Sequence, residues 1–145
     1  MTKDDLFNRT ALLISKVHDF EASLSGQGGD DEVTALQFDL LQILFFSGPT
    51  NLSGLSHCMN INLPNSSREV KKLTYLGFVQ KTDSPDDKRK TELSLTARGI
   101  EKVESFLDEM KKSFFDQSKN WDSERIERCI NSINVLEEEL FIKRS

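Results

Sequence analysis

The chain holds 145 residues, 37% hydrophobic and 30% charged, which fits one domain, or one domain plus an oligomerising appendage, and not a disordered polymer. Its formal net charge is −5, and no apolar run approaches the ~20 residues a bilayer-spanning helix requires. Two cysteines and two histidines at unrelated spacings offer no disulfide framework, zinc knuckle or catalytic cluster, so no metal, cofactor or enzyme activity is expected. The opening MTKDDLFNRTALL carries acids where a signal peptide needs a basic start and a pure apolar core. A cytoplasmic protein without a membrane partner is therefore expected.

Leu6, Phe7, Leu13, Ile14, Val17, Phe20 and Leu24 recur at helical spacing and predict an amphipathic helix over about 4–25. SGQGGDDE interrupts it with three glycines and a run of acids. Thr34 and Gln37 have the spacing of a capping box and open a second helix. That helix is apolar nearly all round (Leu36, Phe38, Leu40, Leu41, Ile43, Leu44, Phe45), as a central core element would be, until Gly48-Pro49 ends it.

A short helix over 52–59, capped by Thr50 or Asn51, leads through Asn60-Ile61-Asn62 into another. Asn62 caps the new helix and Pro64 sits in its first turn, where amides have no helical acceptor. It runs to Leu76 and stops at Gly77. Two helices joined by about three residues form the helix-turn-helix pattern. Residues 78–82 and 91–95 then alternate as two strands around the turn-forming DSPDDKRK. Thr96 opens a long helix marked by Ile100, Val103, Phe106, Leu107, Met110 and Phe114. After a break near Asn120, Ile126, Cys129, Ile130, Ile133, Leu136 and Leu140 form a last apolar stripe.

The charge is unevenly spread. Between Asn62 and Arg98 eight bases face five acids, whereas the rest of the chain carries eleven bases and nineteen acids. A local basic patch on an acidic protein is the footprint that nucleic-acid binding requires.

In this order of elements, LQFDLLQIL before Gly48-Pro49, then LSGLSHCMNI, then Arg68…Leu73…Gly77-Phe78-Val79 resemble the MarR family of winged-helix transcription regulators. The most specific piece is Asp87-Lys88-Arg89 followed by Leu95-Thr96 and Gly99, similar to the family's Asp-x-Arg wing and Leu-Thr-x-x-Gly. The resemblance spans essentially the whole chain. It implies a mainly α fold with a small β-hairpin wing (α+β): a single protomer over 1–145, with the winged helix-turn-helix at about 33–98 and dimerisation helices at about 1–25 and 99–143. Ser66 and Glu69 depart from it, standing where the family commonly has apolar residues.

Two elements would then face DNA. Arg68 occupies a position where the family often contacts DNA, and an arginine can give two hydrogen bonds to guanine in the major groove. Asn65, Ser66 and Ser67 lie in the first turns of the same helix, within reach of bases or phosphates. Lys71 and Lys72 suit phosphates, which position a protein without specifying sequence. In the wing, Arg89, flanked by Lys88 and Lys90, suits a narrow minor groove, with Asp87 on the same side to orient it.

Twofold-related modules read two half-sites about one helical turn apart, so a homodimer on a pseudo-palindromic double-stranded operator is expected. Phe7, Ile14, Phe106, Phe114, Phe115, Trp121, Ile126, Ile130, Ile133 and Leu140 would pack against the second copy, since the family dimerises through its first and last helices. The resemblance also implies a repressor relieved by a small aromatic or anionic effector. The alternative is a winged-helix dimer that antagonises other proteins with weak or no DNA binding. Cys58 and Cys129 read as packing cysteines, and His18 as a partly buried polar residue.

Overall fold

The computed structural model describes residues 1–25, 30–84, 86–87 and 90–141. Six helices and one antiparallel hairpin are formed among them: α1 (Lys3–Ser25), α2 (Ala35–Ser47), α3 (Leu52–Met59), α4 (Leu63–Tyr75), β1 (Val79–Asp83), β2 (Thr91–Leu95), α5 (Ala97–Gln117) and α6 (Ser123–Glu139). The mainly helical winged architecture expected from the sequence is present. None of these helices is long and apolar enough to cross a membrane.

The caps explain the boundaries. The Thr34 hydroxyl accepts from the Gln37 N–H (3.2 Å) while the Gln37 side chain accepts from the Thr34 N–H (3.0 Å), so two orphan donors at the start of α2 are satisfied reciprocally. Asn51, not Thr50, caps α3, accepting from the Gly54 N–H at 2.7 Å. Asn60 takes a left-handed conformation (φ 53°), which asparagine tolerates better than most residues, and so turns the chain from α3 toward α4. Asn62 then accepts from the Asn65 N–H at 2.9 Å to open α4. Gly77, at φ 81°, stops α4 in the left-handed region that glycine adopts without a steric penalty.

The hairpin pairs Val79 with Leu95 and Asp83 with Thr91, one residue beyond the predicted end of the first strand. Thr50 extends the pairing: its N–H donates to the Leu93 carbonyl (3.1 Å), and the Leu93 N–H donates back (2.7 Å). The wing base is thereby tied to the connection that precedes α3.

Contacts divide the chain into two compact units, Met1–Lys111 and Lys112–Ser145. The first holds a core of Phe38, Leu40, Leu41 and Leu44 from α2, Leu55 from α3, Val70 and Leu73 from α4, with Phe78, Val79, Leu93 and Val103. α2 supplies more of this core than any other helix, as its all-round apolar sequence predicts. Phe106 packs edge-on against Phe38 with ring centres 4.6 Å apart, which corrects its assignment to a partner-facing stripe. In the second unit, Asp122 caps α6 (2.8 Å from the Arg125 N–H), Phe114 meets Trp121 edge-on at 5.9 Å, and the Arg125 guanidinium lies 4.0 Å over the Trp121 ring.

Candidate nucleic-acid interface

α4 sorts its side chains by the 3.6-residue period. Ser66, Val70 and Leu73 are buried against the rest of the module. Arg68, Lys71 and Tyr75 share the opposite, solvent-facing side, with Asn65 and Lys72 beside them. Five of the six α4 residues expected at DNA therefore sit on or beside the outward face, with Ser67 half-buried at its margin, lining a small cavity with Leu52, Val70, Lys81, Thr91 and Leu93.

Ser66 is the exception. It is 0% exposed, and its hydroxyl has no hydrogen-bond partner among the described residues. The spacing from Val70 and Leu73 turns it into the core, so it is withdrawn from the DNA-facing set. The apolar residue common at this position in the family is the one this burial would favour.

Glu69 has a structural explanation. The Gln37 side-chain amide, itself buried and already part of the α2 capping box, donates to Glu69 Oε2 at 2.8 Å. Lys72 Nζ lies 3.4 Å from the other oxygen, Oε1. A polar link from α2 to α4 thus stands where an apolar contact is usual, and the acid is spent on Gln37 and Lys72 instead of facing solvent. Among the described residues, Arg68 and Lys71 carry no ion pair, so their charges are available to a ligand.

Tyr75 escaped the sequence reading. It is 91% exposed and continues the Arg68–Lys71 row at helical spacing, which is the signal that would have found it.

In the wing, the Ser84 N–H donates to the Lys90 carbonyl (2.8 Å) and the Lys90 N–H donates to the Asp87 carbonyl (2.9 Å); Lys90 is exposed and Asp87 half-buried. Lys88 and Arg89, the expected minor-groove residues, lie outside the described residues. Of the residues expected at a dimer contact, Phe7, Ile14, Ile126, Ile130 and Ile133 are between 45% and 70% exposed, while Phe114 and Leu140 are half-buried.

Two further expectations change: Cys58 is exposed on α3 rather than packed, and His18 is exposed beside Glu21, while Cys129 is half-buried on α6. No group of acids, histidines and cysteines among the described residues is arranged to hold a metal.

Residues 33–91, covering α2 to the start of β2, match the MarR family model. The HTH-type transcriptional regulator YdgG of Bacillus subtilis (strain 168) is 31% identical over 106 residues, 69% of this chain and 67% of that protein. The fold is shared with wild-type MarR (apo form) from E. coli, with a TM-score of 0.66, 18% identity and coverage of 88% of this chain and 94% of that one. It is shared equally with S. aureus MepR bound to ethidium bromide, with a TM-score of 0.65, 16% identity and 97% coverage of both chains. The helix-turn-helix, its basic outward face and the hairpin wing therefore place this chain in the MarR family of DNA-binding, HTH-type transcriptional regulators.

Proposed function

We propose that this chain acts as a homodimer that reads a twofold double-stranded operator and represses transcription by occupying it. The observation that carries the reading is the outward face of α4, where Arg68 and Lys71 carry no ion pair among the described residues while Glu69, the acid on the same helix, is engaged by Gln37 and Lys72. Arg68 reads a base edge, and Asn65 and Ser67 add hydrogen bonds at the N-terminal end of the helix. Lys71, with Lys72 when it leaves Glu69, meets phosphates. Asp87, Lys88, Arg89 and Lys90 serve the minor groove beside it.

The dimer is supported by what a single chain leaves wet. Phe7 and Ile14 on α1, and Ile126, Ile130 and Ile133 on α6, are large apolar side chains exposed in rows at helical spacing. Exposed apolar surface of that kind marks an interaction site. Binding of a small aromatic effector is supported by the ethidium-bound MepR of the same fold. The competing reading, a dimer that antagonises other proteins with weak or no DNA binding, draws on Ser66, Glu69 and the overall acidity; Ser66 is buried and Glu69 is held by Gln37, which weakens two of these three grounds.

The test is a nuclease footprint on the DNA upstream of the protein's own gene, paired with light scattering at micromolar concentration. A protected twofold element and a dimer mass are expected. A monomer, or no protected sequence, refutes the reading.

A further inference from the structure

We propose that Arg98 is a positioning residue for DNA binding, gripping the C-terminal end of α4 and the start of the wing from the first turn of α5. The inference rests on the dimeric, operator-reading function proposed above.

A helix end leaves carbonyls without partners, and these are where another element can take hold of it. After α4, three successive carbonyls are held by two residues at the start of α5. Arg98 Nη1 donates to the Leu76 carbonyl at 2.7 Å, the Thr96 hydroxyl donates to the Gly77 carbonyl at 2.5 Å, and the Thr96 N–H donates to the Phe78 carbonyl at 3.0 Å. Gly99 permits this approach, because a Cβ there would collide with the Phe78 carbonyl oxygen. A guanidinium at a helix C-terminus is further favoured by the helix dipole.

Arg98 is itself held from the other side. Its Nη2 pairs with Glu32, and its guanidinium lies 4.5 Å from the centre of the Phe78 ring. Lys102 Nζ reaches the second Glu32 oxygen at 3.0 Å and Asp30 at 2.5 Å. One chain of charges therefore runs from the segment before α2, across buried Phe78, to the end of the recognition helix.

A purely stabilising role accounts poorly for this arrangement. Arg98 and Glu32 are substantially exposed, with side chains 56% and 38% accessible, and exposed pairs contribute little to stability. What Arg98 adds is direction: it fixes the far end of the helix whose near end enters the groove. Loss of Arg98 would leave the core and the Thr96 contacts in place but let α4 tilt, so that two recognition helices no longer meet half-sites at one fixed separation.

Selection from a random duplex pool with the wild-type protein supplies the probe. Binding is then compared on three duplexes: one half-site, two half-sites at the selected spacing, and two with one base pair inserted. Arg98→Met keeps the aliphatic stem over Phe78 and removes the guanidinium. It is expected to lose about tenfold of the wild-type preference for the selected spacing while single half-site affinity stays within about twofold. Arg98→Lys, which keeps a cation beside Glu32 but loses the forked donors, should lose about threefold. If Arg98→Met does not fold, Arg98→Lys decides alone. Unchanged spacing preference in the folded variant overturns the proposal, as does an equal loss on the single half-site, which would make Arg98 a direct DNA contact. A wild-type protein that selects no repeated half-site overturns the dimeric reading itself, and does so before any variant is made.

Discussion

Replacing Ser66 with alanine separates a core residue from a DNA contact in one experiment. The side chain is fully buried and its hydroxyl lacks a partner, so in the native state it bears a desolvation cost that the unfolded, hydrated chain does not. Removing a buried unsatisfied group recovers about 1–3 kcal/mol. Alanine adds up to roughly 0.5 kcal/mol over serine through helix propensity in α4. Alanine fits wherever serine does, so no overpacking offsets the gain. A net stabilisation of about 1–3 kcal/mol corresponds to a rise in Tm of roughly 3–10 °C for a chain of this size. Thermal unfolding followed by circular dichroism measures it, with wild type and variant at one protein concentration because association shifts apparent stability. Affinity for a selected duplex should be unchanged. An unchanged or lower Tm together with weakened DNA binding would show that Ser66 faces the groove, and the account of α4 would be wrong.

Four other outcomes are expected. Arg68→Ala should weaken binding to the selected duplex by about 1–3 kcal/mol and relax preference at one base position, whereas Lys71→Ala should weaken all sequences alike and lower the salt slope by about 1 per lysine removed; titrations on matched and mismatched duplexes distinguish the two. Arg89→Ala, on the wing, should cost roughly 1–3 kcal/mol of binding and leave the melting temperature unchanged. The hydrogen bond from Lys102, with those from the Val33 and Glu32 amides, lowers Asp30 from 3.8 to about 2. Its folded value lies below its unfolded one, so its stabilisation is complete above about pH 4 and is lost as pH falls through 2. Asp30→Asn should therefore lower denaturant stability at pH 6 and make no difference at pH 1.5.

The sequence made the fold legible because its stop and start signals are local. Thr34 with Gln37, Asn62 with Pro64, and Gly77 each act within one turn of themselves, and each performs the role their chemistry implies. The outward face of α4 was partly legible for the same reason, since Arg68 and Lys71 share a side by spacing alone. Ser66 was misread because its polarity argued for solvent while its register with Val70 and Leu73 placed it inside, and register prevailed. Cys58 was misread in the opposite sense: a residue type usually buried stands exposed because α3 turns only Leu55 and Ser56 fully inward. The grip of Arg98 on the Leu76 carbonyl, and of Gln37 on Glu69, joins residues 22 and 32 positions apart. No local pattern encodes such pairs, and only the folded chain brings them together.

The central claim is that the basic face of α4 and the wing bind DNA backbone as well as bases. The most direct measurement is affinity for a selected duplex across a salt titration, plotted as the logarithm of the binding constant against the logarithm of salt concentration. Two protomers, each placing two cations on phosphates, predict a linear fall with a slope of about −3.6 or steeper. A flat plot, or no duplex binding at low salt by folded protein, would contradict it.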